Sequence, residues 1–191
     1  YNVSKIINLA QGQFVMIGAL VYFSLISVYE FPLFISILLG IFLTGLIGWI
    51  MVNVAINPLG SNASPIIAII VTLAFGEILQ GISLLIWGKN FVGIPSIIKG
   101  EPINIFGATV QPQAILIIIV SLLVCVLFTL LISKTSIGKS MLAASSDPYA
   151  ASLMGINVKK LVLLSFMISA GLGAIAGILV APMTMMDYSQ G

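Results

Sequence analysis

The chain has no histidine, one cysteine, and charged residues at only 6% of its 191 positions. Each shortage removes a class of chemistry. Without histidine, and with Cys125 alone inside an apolar run, there is no histidine–cysteine metal site, no disulfide and no cysteine–histidine nucleophile pair. Five scattered acids argue against a metal site built from carboxylates alone, so no metal, cofactor or catalytic residue is assigned. The net charge of +2, from seven lysines against five acids, is too small and too dispersed for a nucleic-acid surface. Soluble domains carry about 25% charged residues. A chain with so few cannot cover a water-facing surface.

Apolar sequence fills the gap: 60% of the residues are hydrophobic and the mean hydropathy is +1.25. Five apolar segments can be drawn, over residues 14–29, 33–56, 66–87, 114–132 and 161–181. A membrane-spanning helix needs roughly 17–25 residues. Four segments meet this, and the first does so only with the polar stretch before it. Polar/apolar alternation of the kind a membrane β-barrel needs is missing. The fold class expected is therefore all-α, a polytopic transmembrane helical bundle with about five spans. It forms one domain over residues 1–191, with a loop at 134–160 inside it. The chain starts at Tyr1 rather than Met and stops at Gly191 just past an apolar helix, so both ends read as truncations with further helices expected. Residues 1–13 lack the charged and then apolar regions of a signal peptide.

Turn chemistry falls between the segments, at Pro32, at Asn57-Pro58 and at Ser64-Pro65. Alternating the spans places residues 1–13, the turn at 57–65 and the loop at 133–160 on one side. That side holds Lys5, Lys134, Lys139, Lys159 and Lys160, against Lys89 and Lys99 on the other. The excess makes it the cytoplasmic side. On the opposite side, the loop at 88–113 contains Pro95, Pro102 and Pro112. Its alternating Ile103-Asn104-Ile105 before Gly107 suggests a small strand or hairpin.

Three places could carry function. Glu77 sits at the middle of the third segment, with Gln80 three residues on and Thr72, Gly76 and Ser83 forming a small or polar stripe beside it. An ionisable residue at that depth is costly and normally faces a bundle interior or a water-filled cavity, so an internal face is expected. It either lines a solute path or is protonated and bonded to a neighbouring helix. The polar run Asn8-Leu9-Ala10-Gln11-Gly12-Gln13 opens directly into Phe14-Val15-Met16-Ile17. It is either a broken helix whose freed N–H groups meet a solute, or a plain cytoplasmic helix start. In the loop, Asp147 before Pro148 is an N-cap followed by proline at the first helical position, and Gly155 suits the end of a helix over 148–154. Tyr149, Leu153 and Met154 could dock on a partner, or the helix could merely return the chain. Small residues repeat at i+4 as Gly40, Thr44 and Gly48, and as Ser169, Gly173, Gly177 and Ala181. These rows are helix-packing signals.

The run from Asn8 to Phe14, followed by Gly18-Ala19, resembles the signature Asn-Phe-Ala-His-Gly-Glu-Phe … Gly-Ala-Tyr of branched-chain amino acid ABC transporter permeases, of the first permease subunit type. Asn57-Pro58-Leu59, Leu79-Gln80 and Ile86-Trp87-Gly88 resemble that family's central helices. Gly138, Ala150-Ala151 and Met154-Gly155-Ile156-Asn157-Val158 resemble its coupling region, so the resemblance runs over essentially the whole chain. It implies a multi-pass subunit of the bacterial or archaeal cytoplasmic membrane. Its partners would be membrane lipid, a second permease subunit, two ATP-binding subunits and an extracytoplasmic solute-binding protein. It also implies an ATP-driven coupling helix made of Asp147, Pro148, Tyr149, Ala150, Ala151, Leu153, Met154 and Gly155. Two departures matter. Tyr149 stands where the family often has Glu before Ala-Ala, so no salt bridge to an ATPase carries over. Gln11 and Gln13 replace His and Glu, which keeps hydrogen bonding but removes titration and charge.

The expected function is import of branched-chain amino acids by a subunit that is not an enzyme, with Asn8, Gln11, Gln13, Glu77 and Gln80 as the polar groups of the path. The same architecture could import urea, short amides or other amino acids. No ATP-binding glycine-rich loop is present, as expected if hydrolysis belongs to a partner. A stand-alone channel would not need the coupling-like helix. An intramembrane enzyme would need a catalytic constellation that the sequence does not offer, Asp147 and Asp187 both lying at loop positions.

Overall fold

A computed structural model describes residues 8–60, 64–89, 93–94, 96–97, 102–105 and 108–184. Tyr1, Lys5, Pro95, Lys99, Gly107, Asp187 and Gly191 lie outside the described residues.

Five helices among them are long and apolar enough to cross a membrane. Helix α1 (Gln11–Phe23) continues as a π-helical turn, Ser24–Val28. Helix α2 (Leu33–Met51) ends in a second π-helical turn, Val52–Ile56, and a 3₁₀ turn, Asn57–Leu59. Helices α3 (Pro65–Trp87) and α4 (Pro112–Lys134) each open with proline at the first helical position, where its missing N–H and fixed φ cost nothing. Two short helices follow, α5 (Ser136–Ser146) and α6 (Pro148–Leu153), and then α7 (Val158–Val180). Asn157 caps α7 by accepting the Lys160 N–H at 3.0 Å. The expected hairpin is present between α3 and α4. Strands β1 (Ile103–Ile105) and β2 (Ala108–Val110) pair antiparallel with Ile103 opposite Val110.

Helices α1, α2 and α7 form the packed centre, and small residues let them approach. A Cβ built on Gly177 would lie 2.0 Å from the Val15 carbonyl oxygen, and one on Gly18 would lie 2.4 Å from Ala174 Cα. One on Gly48 would lie 2.8 Å from Ala170 Cβ. The buried Thr44 and the contact of Gly40 with Ile178 complete the α2 row. Both small-residue repeats in the sequence are thus helix contacts. Around them, Phe14, Met16, Leu20, Met51, Val52 and Phe166 bury their side chains in one cluster.

The contacts also fix relative directions. Gln11 meets Ser169 and the Val15 carbonyl faces Gly177, while Leu9 and Ser24 meet Thr72 and Trp87, so α1 runs parallel to α7 and α3. Gly48 lies at Ala170 and Gly40 at Ile178, so α2 runs antiparallel to α7. Helix α4 descends from Gln113, whose Nε2 donates to the Leu179 carbonyl at 2.8 Å, to Ile132, against which Gly138 of α5 packs. Its apolar side chains, Ile118, Leu122 and Val126 among them, are exposed. This is the alternation expected from the sequence, with α1, α3 and α7 all running away from the side that holds α5 and α6.

Candidate functional site

The start of α1 does not lie at the level where the other spans start. Gln11 Nε2 donates to the Ser169 carbonyl at 3.1 Å, and the Ser169 hydroxyl donates to Gln11 Oε1. Ser169 is eleven residues into α7, which at 1.5 Å per residue is about 16 Å from its beginning. On the other flank the Leu9 N–H donates to Thr72 Oγ1 at 3.3 Å, seven residues into α3, or about 10 Å. The polar run therefore sits inside the bundle. Polar backbone at such a depth persists only where protein or water satisfies it. Asn8 Oδ1 accepts the Ala10 N–H at 3.1 Å and holds the turn, while α1 itself has no side-chain cap.

The polar side chains divide by role. Gln11 uses both ends of its amide on Ser169, so it ties α1 to α7. Gln13 is 8% exposed and packs against Gly76, where a Cβ would come 3.3 Å from its Cγ. Its Oε1, together with Asn8 Nδ2, is buried without a hydrogen-bond partner among the described residues. Ser83 Oγ, farther along α3, is buried and unpartnered as well. At the far end of this seam the Trp87 indole donates to Ser24 Oγ at 2.6 Å, inside the π-helical turn. Ser169 was legible in the sequence only as part of a packing row. Nothing in its spacing says that it faces Gln11.

Helix α3 departs from expectation at its acid. Thr72, Gly76, Leu79 and Ser83 are buried toward α1 and Gln80 is half-buried, but Glu77 is exposed. At 100° per residue it lies roughly 130° around the helix from that seam. It is not on an internal face of this chain's bundle. The cause is register: Gly76 takes the close contact with α1, and the next residue necessarily turns away. A charged side chain at the centre of a span costs about 2.5–3.5 kcal/mol on insertion scales. No hydrogen bond or ion pair to Glu77 occurs among the described residues.

On the lysine-rich side, the chain between α4 and α7 carries a helix, α5, beyond the one expected over 148–154. Thr135 caps α5, its Oγ1 accepting the Gly138 N–H at 3.0 Å, and α5 buries Gly138, Met141 and Ala144. The capping threonine was the available signal. Then comes α6 as expected. Asp147 Oδ1 accepts the N–H groups of Tyr149 at 2.9 Å and Ala150 at 3.1 Å. At the other end Gly155, at φ +80°, donates to Ser152 O, and Ile156 donates to Ala151 O. That is a Schellman closure, whose left-handed position favours glycine. Ala151 is buried with Met141, Ala144 and Leu161, and Ile156 packs on them. The opposite face is bare: Tyr149 is 74% exposed, Leu153 72% and Met154 82%.

Comparison with known proteins gives these features a setting. The family model described as branched-chain amino acid transport system / permease component matches residues 1–190. The high-affinity branched-chain amino acid transport system permease protein LivH of Salmonella typhimurium is 30% identical over 191 residues, covering 94% of this chain and 62% of LivH. BraD of Pseudomonas aeruginosa, a permease protein of the same description, is 29% identical over 192 residues, with the same coverage. The L-arabinose transport system permease protein AraH of Escherichia coli is 33% identical over 130 residues, 63% of this chain and 38% of AraH. The chain thus spans about three-fifths of the length of the branched-chain relatives. No solved structure matches. With five apolar spans and a match that runs almost from end to end, the chain belongs to the permease-component family of branched-chain amino acid transport systems.

Proposed function

We propose that this permease is a subunit of an ATP-driven importer that moves branched-chain amino acids across the cytoplasmic membrane of a bacterium or archaeon. Helix α6 is its contact with the ATP-binding subunits. The observation that carries the reading is the build of α6. Six residues are capped at both ends by side chain and backbone and anchored through Ala151, and with the C-cap Met154 they leave three large side chains pointing outward. A loop that merely returned the chain would have no use for that rigidity. A rigid apolar knob transmits a push from a partner into α7 through Leu161 and into α4 through α5. ATP hydrolysis then belongs to two ATPase subunits, and solute delivery to an extracytoplasmic binding protein. A second permease subunit completes the membrane part.

The solute path runs along the start of α1. A zwitterion with an apolar side chain needs a few hydrogen-bonding atoms among many apolar ones. Asn8 Nδ2 and Gln13 Oε1 offer a donor and an acceptor that the described chain leaves unused, and Gln80 stands half-buried across the seam. Gln11 positions this segment rather than meeting solute.

The test is co-purification of the full-length permease with its genomic neighbours, in wild type and in the triple variant Tyr149→Ser, Leu153→Ser, Met154→Ser. The wild type should bring down an ATPase that the variant loses, with the size-exclusion profile of the permease unchanged. If no ATPase ever accompanies the wild type, the importer reading fails. A second reading, in which the same machine carries another small polar solute, has the match to AraH behind it. Competition of leucine uptake by arabinose, urea and short amides separates the two.

A further inference from the structure

Helix α3 meets the rest of the bundle along one narrow stripe, Ala68, Thr72, Gly76, Leu79 and Ser83, and four of these five residues are small. Burial of so little apolar surface holds a helix only lightly. Two hydrogen bonds to the α1 segment bracket the stripe. At one end the Leu9 N–H donates to Thr72 Oγ1 at 3.3 Å, and at the other the Trp87 indole donates to Ser24 Oγ at 2.6 Å. Trp87 lies fifteen residues, or about 22 Å, beyond Thr72, at the end of the bundle away from α5 and α6. Its ring packs against the central apolar cluster, one turn past the buried Ser83.

Ser24 is an unusual place for the acceptor. It opens the π-helical turn Ser24–Val28, and the Tyr29 N–H reaches back five residues to the Ser24 carbonyl at 3.0 Å. The Phe31 N–H then donates to the Leu25 carbonyl at 2.9 Å, and Glu30 between them takes a φ of +53°. A π turn takes one residue more than an α turn, and such turns are rare and recur at functional sites. A left-handed φ costs energy at a residue with a bulky side chain. The Ser24 hydroxyl donates to the Leu20 carbonyl at 3.1 Å, which leaves its oxygen to accept from the indole. A permanent staple between two helices needs neither the π turn nor the left-handed residue. Strain placed beside the contact that closes a seam marks a segment with a second arrangement.

We propose that Ser24 and Trp87 form a latch that closes the outer end of the α1–α3 seam. In the latched form, the one in the structure, the indole bond holds the π turn and the left-handed Glu30 in place. On release Ser24–Val28 rewinds to α and Glu30 leaves the left-handed region. Helix α3 then parts from α1 along its small-residue stripe, opening the seam from the extracytoplasmic side as far as Ser83. The latch presupposes the permease reading, in which solute moves along this segment of α1, and adds the point at which that path is shut.

Thiol accessibility in right-side-out membrane vesicles carrying the complete transport system tests this. In a Cys125→Ala background, Ser83→Cys is treated from outside with a charged, membrane-impermeant maleimide. The latched parent should label slowly, and so should Ser24→Thr, which keeps the hydroxyl. Ser24→Ala and Trp87→Phe should each speed labelling at least tenfold. The double variant should go no faster than either single one, because both remove the same bond; independent effects would multiply to about a hundredfold. Added to Ser24→Ala, Glu30→Gly should slow labelling at least threefold, since glycine accepts the left-handed turn without steric cost. Thr44→Cys, buried where α2 meets α7, reports general loosening and should stay slow in every variant. Fast labelling of the parent, no acceleration by Ser24→Ala, a hundredfold double variant, no slowing by Glu30→Gly, or equal acceleration at Thr44→Cys overturns the latch. Leucine uptake by the same vesicles, loaded with ATP, is scored separately. Unchanged labelling with uptake intact sinks the latch alone. A wild-type system that takes up no leucine sinks the branched-chain import reading, whatever the labelling shows.

Discussion

Replacing Gly177 with alanine should disrupt the centre of the bundle. The added methyl carbon would lie 2.0 Å from the Val15 carbonyl oxygen, 2.9 Å from its carbon and 3.2 Å from the Ala19 nitrogen, all backbone atoms that cannot rotate aside. Ordinary contact begins at 3.4 Å, so α1 and α7 would have to separate by about 1.4 Å along that line. Overpacking of this kind costs about 1–3 kcal/mol, occasionally more, and backbone against backbone belongs at the upper end. Alanine returns about 1 kcal/mol in helix propensity. The net loss should be about 2 kcal/mol, or roughly 4–8 °C in Tm for a chain of this size. Gly45→Ala is the matched control. Its nearest neighbour would be the Met167 carbonyl oxygen at 3.7 Å, an ordinary contact, so the propensity gain should stand and Tm should hold or rise. The measurement is thermal unfolding of the detergent-purified permease, followed by circular dichroism at the helical band. A Gly177→Ala protein as stable as wild type, or within a degree of Gly45→Ala, would refute the α1–α7 packing described above.

Two further outcomes follow from the hydrogen bonds. Asp147→Ala removes the acceptor for the Tyr149 and Ala150 N–H groups; loss of such a cap costs about 0.5–2 kcal/mol. Amide exchange at those two residues should accelerate about tenfold, matching roughly 1.4 kcal/mol in opening free energy, while α7 exchanges as before. Ser169→Ala leaves Gln11 Oε1 without the hydroxyl that donates to it and should cost about 1–3 kcal/mol by the same unfolding assay. The double variant Ser169→Ala, Gln11→Leu should recover part of that loss, because no orphaned amide remains. No recovery would show that the pair matters only through packing.

Local features of the chain were legible without coordinates. Apolar length alone implies four spans, and a fifth once the polar stretch before Phe14 is counted in, because a bilayer demands that length and little else. Ser64-Pro65, Asp147-Pro148 and Gly155 mark helix ends through the φ, N–H and side-chain oxygen that each residue type brings. The rows of Gly40, Thr44 and Gly48, and of Gly173 and Gly177, announce close contacts because they leave room for a neighbouring backbone. Even the β1–β2 hairpin showed in the alternation of Ile103, Asn104 and Ile105.

Which neighbour each face meets was decided only by tertiary structure. Glu77 shows the limit. Its depth in α3 follows from counting residues, and the expectation of an internal face follows from its chemistry. Its direction depends on Gly76 taking the contact with α1, and a rotation of 100° separates the two residues. In the same way the sequence reads residues 8–13 as polar, but only the contacts with Thr72 and Ser169 set them inside the bundle rather than at its edge. Composition and spacing constrain one helix at a time. Depth, facing and partner are properties of pairs of helices, and those arise when the chain packs.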